Sequence, residues 1–177
     1  MSQIGKYAAR LVGLSLCLSL LGSPVLANDS YEPVSGMRLA PIGKGEFRRF
    51  GFLIYEAALW GGSNPQQPPL ALQLTYKRNI DGRKIVDASV QEMRQLGATE
   101  PALKVWETQM TQIFPDVKPG DQLTGVYKPG GAVFLFNNRE VGEIKDPEFA
   151  RYFFAIWLDP KTSAPGLRQN LLSNKPS

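Results

Sequence analysis

Residues 43–60 read GKGEFRRFGFLIYEAALW. From Phe47 onward the stretch is rich in aromatic and aliphatic side chains, with Glu56 its only acid, a composition that suits a pleated, half-buried surface. Two strands are expected here, Arg38 to Ile42 and Glu46 to Trp60. The glycines of Gly43-Lys44-Gly45 would supply the positive φ of a tight turn between them, making a β-hairpin. Arg48 and Arg49 stand near its start and admit two readings. They are a solvated pair whose stems cover apolar neighbours, or one of them is an anion site at the end of an apolar channel.

Outward from the hairpin, residues 61–69 (GGSNPQQPP) continue neither strand nor helix and read as a surface loop. In LALQLTYKR, residues 70–78, Leu70, Leu72, Leu74 and Tyr76 alternate with Ala71, Gln73, Thr75 and Lys77, the period of a half-buried antiparallel strand. Tyr76 and Lys77 are read as structural. Asp81-Gly82 opens a helix carrying Val86, Val90 and Met93, with Gly97 at its end. Thr99-Glu100-Pro101 opens a second with Leu103, Trp106, Met110 and Ile113, and Pro115 stops it. Three short strands follow, Gln122–Tyr127, Ala132–Phe136 and Glu140–Ile144. Asp146-Pro147 starts an aromatic helix (Phe149, Phe153, Ile156, Trp157), and residues 162–165 cap a last one with Leu167, Leu171 and Leu172. Strands with helices inserted and appended, and no βαβ alternation, give α+β: an antiparallel sheet with helices packed on one face. The four helix aromatics Trp106, Phe149, Phe153 and Trp157 read as core rather than ligand wall. Asp116 and Asp121 read as loop caps rather than a cation site.

The first residues stand apart. Lys6 and Arg10 precede an apolar run, and Val25-Leu26-Ala27 offers small residues for cleavage, so residues 1–27 read as a secretory signal peptide. The run is shorter than the roughly 20 residues a bilayer span needs, and Leu16 before Cys17 does not suit lipidation. Cleavage after Ala27 would leave 150 of the 177 residues, one domain with one core. Residues 28–36 would be a loose leader and 37–177 the domain. The expected location is periplasmic or secreted, with no stable membrane span after cleavage. Such a chain holds no histidine and no cysteine, because the single cysteine is Cys17. Disulfides, Cys or His catalysis and His or Cys metal sites are thereby excluded, and neither a metal nor a cofactor is expected. Its net charge falls from +4 to +2, since Lys6 and Arg10 leave with the signal, which gives no support to a nucleic-acid partner. The oligomeric state is not legible.

Four separated motifs, GFLIYEAALW, the stretch from YKRNIDGRKI to QEMRQLG, FPDVKPGDQLTGVY, and DPEFARYFFAIWLD followed by TSAP, together resemble bacterial members of the chalcone-isomerase-like family over about Gly43 to Leu172. The resemblance implies an open-faced β-sandwich with a ligand cleft between sheet and helices. It also implies that Arg48 holds the ligand's anionic group and that Tyr55 joins it, as in the family's fatty-acid-binding members. Tyr55 otherwise reads as a core tyrosine. Counting in twos puts Arg48 and Tyr55 on opposite faces, so sharing a site would require a bulge, for which Gly51 is the natural place. Positions that carry tyrosine and asparagine in the plant cyclases read Asp81 and Ala88. The expected function is therefore binding of a fatty acid or similar amphipathic anion, such as a phenolic. The alternatives are a chalcone-isomerase-type intramolecular lyase, with Arg48 and Tyr55 as catalytic groups, and a non-catalytic partner-binding periplasmic protein.

Overall fold

The computed structural model describes residues 30–62, 64 and 67–173, so the expected signal peptide lies outside the described residues. Six strands form one antiparallel sheet in sequence order: β1 (Ala40–Arg49), β2 (Phe52–Gly61), β3 (Leu70–Tyr76), β4 (Gln122–Lys128), β5 (Gly131–Phe136) and β6 (Arg139–Ile144). Two helices, α1 (Gly82–Gln95) and α2 (Glu100–Ile113), interrupt the meander between β3 and β4, and α3 (Pro147–Leu158) and α4 (Pro165–Leu171) follow it. The architecture is α+β, with the helices on one face of the sheet as expected.

Of the four described helices, α3 is the one whose N-cap side chain closes its first turn. Asp146 caps α3 by accepting from the backbone N–H groups of Glu148 (2.8 Å) and Phe149 (3.1 Å), which satisfies donors that a helix start leaves unpaired. The same carboxylate accepts from Trp106 Nε1 at 2.8 Å, tying α2 to α3. Asp116 caps α1 from a distance, accepting from Gly82 N at 2.7 Å. Asp121 accepts from Lys118 N (2.9 Å) and Asn137 Nδ2 (3.0 Å). Both aspartates act within loops. The last helix departs from its expected cap: the N-cap residue is Ala164, without a side-chain bond, while Thr162 accepts from Ala164 N at 3.2 Å.

The first hairpin turns in a different place from the one expected. Phe50 (φ 51°) and Gly51 (φ 80°) form the turn, and Arg49 pairs with Phe52 across it. Gly43 and Gly45 lie inside β1 instead, where α4 crosses the sheet. A Cβ on Gly43 would meet Leu171 O at 2.5 Å, and one on Gly45 would meet Leu167 Cδ1 at 2.7 Å. These glycines serve close approach rather than a turn.

A first core lies between sheet and helices, where Trp106, Phe134, Phe149 and Phe154 are fully buried. A second, smaller one lies on the other sheet face, where Leu39, Ala71, Val126, Val133 and Leu135 are covered by Tyr31, Val34, Met37 and Trp60. Tyr31 and Leu39 exchange backbone hydrogen bonds of 2.9 Å each, and the Tyr31 ring lies 4.7 Å from that of Trp60. The segment expected as a loose leader is thus bound to the sheet from Tyr31 onward, because its apolar side chains cover this patch.

Candidate functional site

The register of β1 against β2 decides which arginine meets the space under the helices. Phe47 pairs with Tyr55, but Arg48 pairs with Leu53, so Ile54 is an extra residue in β2. Such a bulge bends the strand and re-aims its side chains. β1 has its own extra residue at Ile42, but from Gly43 to Arg49 its alternation is regular, which places Gly45, Phe47 and Arg49 toward the helices and Glu46 and Arg48 away from them. Phe47 and Tyr55 stack at 5.0 Å on the helix face. Arg48 lies on the outer face, half exposed, and bonds Glu46 Oε2 at 2.8 Å through Nη2 and at 3.0 Å through Nε. The structure therefore brings Tyr55 and Arg49 to one space and leaves Arg48 outside it. A bulge is present, at Ile54 rather than Gly51.

That space is a cleft of about 330 Å³ between the open ends of β1–β3, helix α1 and the segment leading into α4. Its walls are largely apolar, with Phe47, Ile54, Leu74, Ile85, Phe153 and Trp157 among them. Ala88 forms part of the α1 edge, whereas Asp81 lies outside the cleft and pairs with Lys84 at 2.9 Å. Of the helix aromatics, Trp106 and Phe149 are closed into the core, while Phe153 and Trp157 border the cleft.

The polar groups in the cleft are few. Tyr55 Oη accepts from Trp157 Nε1 at 3.0 Å. That bond occupies one side of the oxygen, and the hydroxyl proton meets no acceptor among the described residues. Tyr76, paired directly with Tyr55 across the sheet and buried at 3 % exposure, makes no side-chain hydrogen bond among the described residues. Burial raises the Tyr55 hydroxyl well above its ordinary pKa, more than the Trp157 bond lowers it, and the Glu92 carboxylate adds to the rise. Burial raises Tyr76 likewise, with Tyr55 adding to it. Both phenols consequently stay protonated at neutral pH and are donors. At the rim, Arg49 stands by the hairpin tip, and Glu92 on α1 accepts from Ser163 Oγ at 2.8 Å.

Arg49, Tyr76 and Glu92 are cleft residues that the sequence reading did not select. The alternation of LALQLTY already sets Tyr76 beside Leu74, so its face was legible. The choice of Arg49 over Arg48 was not, because it depends on a turn and a bulge with no strong local signature.

Residues 35–173 match the family model described as chalcone isomerase-like. The chain belongs to the chalcone isomerase-like family. Within reach of sequence comparison, an uncharacterized protein of Haemophilus influenzae is 27 % identical over 140 residues, 77 % of this chain and 69 % of the relative. Among solved structures, a fatty-acid binding protein of Arabidopsis thaliana superposes with a TM-score of 0.60 at 12 % identity, covering 82 % of this chain and 97 % of the plant one. At that identity the likeness is one of fold, and the chemistry of this chalcone isomerase-like chain has to be argued from its own cleft.

Proposed function

We propose that the cleft binds a fatty acid or a similar amphipathic anion, with the head group at Arg49 and the tail against the apolar wall. One observation carries this reading: two phenols with protons to donate, the half-buried Tyr55 and the buried Tyr76, line the apolar cleft, and a guanidinium stands at its rim. Both hydroxyls border the cleft without a protein acceptor for their protons among the described residues, and a carboxylate supplies two acceptor oxygens. Trp157 fixes which side of Tyr55 is left to donate. A cleft of 330 Å³ lies at the small end of ligand sites, which favours a short or medium acyl chain over a long one held entire. Export remains the reading of residues 1–27, tested by the N-terminal sequence of the protein isolated from cells.

The experiment is a titration of fatty acids of graded length by calorimetry. A charge-assisted hydrogen bond contributes about 1.5–3 kcal/mol, so Arg49→Ala should weaken binding roughly ten- to a hundredfold. Arg48→Ala should change little, because its guanidinium is on the outer face with Glu46. The reverse ranking would return the anion site to Arg48 and overturn the assignment. Offered a chalcone, the same protein is expected to show cyclisation at the spontaneous rate. Stereoselective turnover that Arg49→Ala abolishes would move it from binding protein to intramolecular lyase.

A further inference from the structure

The first hairpin carries the two most exposed large apolar side chains among the described residues, Phe50 at 87 % and Phe52 at 60 %. Phe50 is also at φ 51°, followed by Gly51 at φ 80°. A two-residue turn with both residues at positive φ is the place of Asn-Gly or Asp-Gly, and a bulky aromatic at the first position is held there against its preference. Strain and exposure thus fall on one residue, and neither helps the fold. Strain retained in this way points to function.

The charges around the tip say what kind. The guanidinium of Arg49 lies over the Phe50 ring at 5.5 Å and that of Arg78 over the Phe52 ring at 5.2 Å. Arg78 also donates to Leu53 O at 3.3 Å. Among the described residues neither has a carboxylate partner, while the neighbouring Arg48 is paired with Glu46. Two aromatic rings are therefore presented on a convex tip between two uncompensated cations. An anionic lipid surface complements that pattern: aromatic side chains favour the boundary between headgroups and chains, and basic ones favour its phosphates. A protein partner fits less well. Two phenylalanines bury on the order of 300–500 Å², roughly half of what one side of a standard protein interface needs.

We propose that the β1–β2 hairpin tip docks on an anionic lipid surface, with Phe50 and Phe52 entering the interface and Arg49 and Arg78 meeting phosphate groups. Because Arg49 also borders the cleft, docking would set the cleft mouth against the membrane. The proposal does not rest on the fatty-acid reading: Phe50, Phe52 and Arg78 lie outside the cleft lining and carry the docking, and Arg49 would meet a phosphate only when it holds no head group in the cleft.

The test compares variants of the full protein, purified as cells leave it, in flotation with vesicles of phosphatidylcholine alone and of equal parts phosphatidylglycerol and phosphatidylcholine, without added fatty acid. All variants share one N-terminus, so differences belong to the tip. The wild type should float with the anionic vesicles and not with the neutral ones. Phe50→Asn puts a residue that tolerates positive φ into the turn; its melting temperature should hold or rise while vesicle affinity falls roughly tenfold or more. Arg78→Gln should cost roughly fivefold. In Phe50→Trp the added indole should be quenched by phospholipids with brominated chains. Wild type that ignores anionic vesicles, Phe50→Asn that binds like wild type, or an unquenched indole each overturns the proposal, and would turn the search for the tip's occupant to proteins.

Discussion

The two halves of the layer between sheet and helices are built from the same kinds of residue and finished differently. Over β4–β6, Trp106, Phe134 and Phe149 fill the space, and the one polar atom of Trp106 is paired inside the protein with Asp146. Over β1–β3, Phe47, Tyr55, Tyr76 and Trp157 leave a cleft, and two phenol protons are left without a partner among the described residues. Aromatic content therefore does not distinguish core from site. What differs is where the aromatic polar atoms lead: Trp106 Nε1 is paired inside the protein, while the two phenol hydroxyls border the open cleft.

Truncation is the severest way to break that comparison. Trp106 is 1 % exposed and holds the α3 cap, so Trp106→Ala should destabilise by about 3–5 kcal/mol in denaturant titration. Trp157→Ala should cost less, about 2–3 kcal/mol, because its place opens onto a cleft that is already there. Equal losses would mean that the two halves are packed alike. Trp106→Phe sharpens the point through pH. Burial pushes the Asp146 carboxyl up, but the bonds from Trp106, Phe149 and Glu148 together bring it below its ordinary value. A lowered folded pKa gives stability that is complete above the unfolded aspartate range and lost as pH falls through the folded value. The gap between wild type and Trp106→Phe should accordingly narrow in acid, and a gap independent of pH would deny Trp106 its part in holding Asp146 ionised.

How much of this was legible in the sequence differs between the halves for a physical reason. The strand Leu70–Tyr76, the helices and the meander follow from periodicity and from residues such as Asp146 and Pro147, where local pattern and tertiary structure agree. The first hairpin was harder. Its turn uses Phe50-Gly51, where Phe50 gives no turn signal, while Gly43 and Gly45 give one that belongs to helix packing. Counting in twos from Arg48 to Tyr55 gives opposite faces, and the structure agrees only because two shifts cancel: the two-residue turn moves the count by one, and the bulge at Ile54 moves it back. Without the bulge Tyr55 would face away from the cleft, beside Arg48. Family resemblance pointed to Arg48, and the structure sets Arg49 rather than Arg48 beside the cleft, since a one-residue difference in register changes the face.

Within the open half, the phenols should matter less than Arg49. Tyr55→Phe removes one neutral donor and leaves Trp157 Nε1 without its acceptor; it should weaken a fatty acid by about 1 kcal/mol, roughly fivefold. Tyr76→Phe should have a similar effect on binding and little on stability, because its hydroxyl supports nothing within the described structure. A stability loss above about 1.5 kcal/mol for Tyr76→Phe, with affinity unchanged, would place that hydroxyl in the fold rather than the site.

The smallest expected effect bears on the sign of the ligand's charge. Glu92 borders the same cleft and places a negative charge there, held by Ser163 Oγ at 2.8 Å. An anion bound at Arg49 is repelled by it at some distance, and at an effective dielectric between protein surface and water that repulsion amounts to about 0.5–1 kcal/mol. Glu92→Gln keeps an oxygen for Ser163 and removes the charge, so a carboxylate ligand should bind roughly twofold to fivefold more tightly. The fatty alcohol of the same length should bind the variant and the wild type alike, which separates the charge from any change in cleft shape. Weaker binding of the acid in Glu92→Gln would show that the Glu92 charge does not oppose the ligand, which would count against an anionic head group held near it in this cleft.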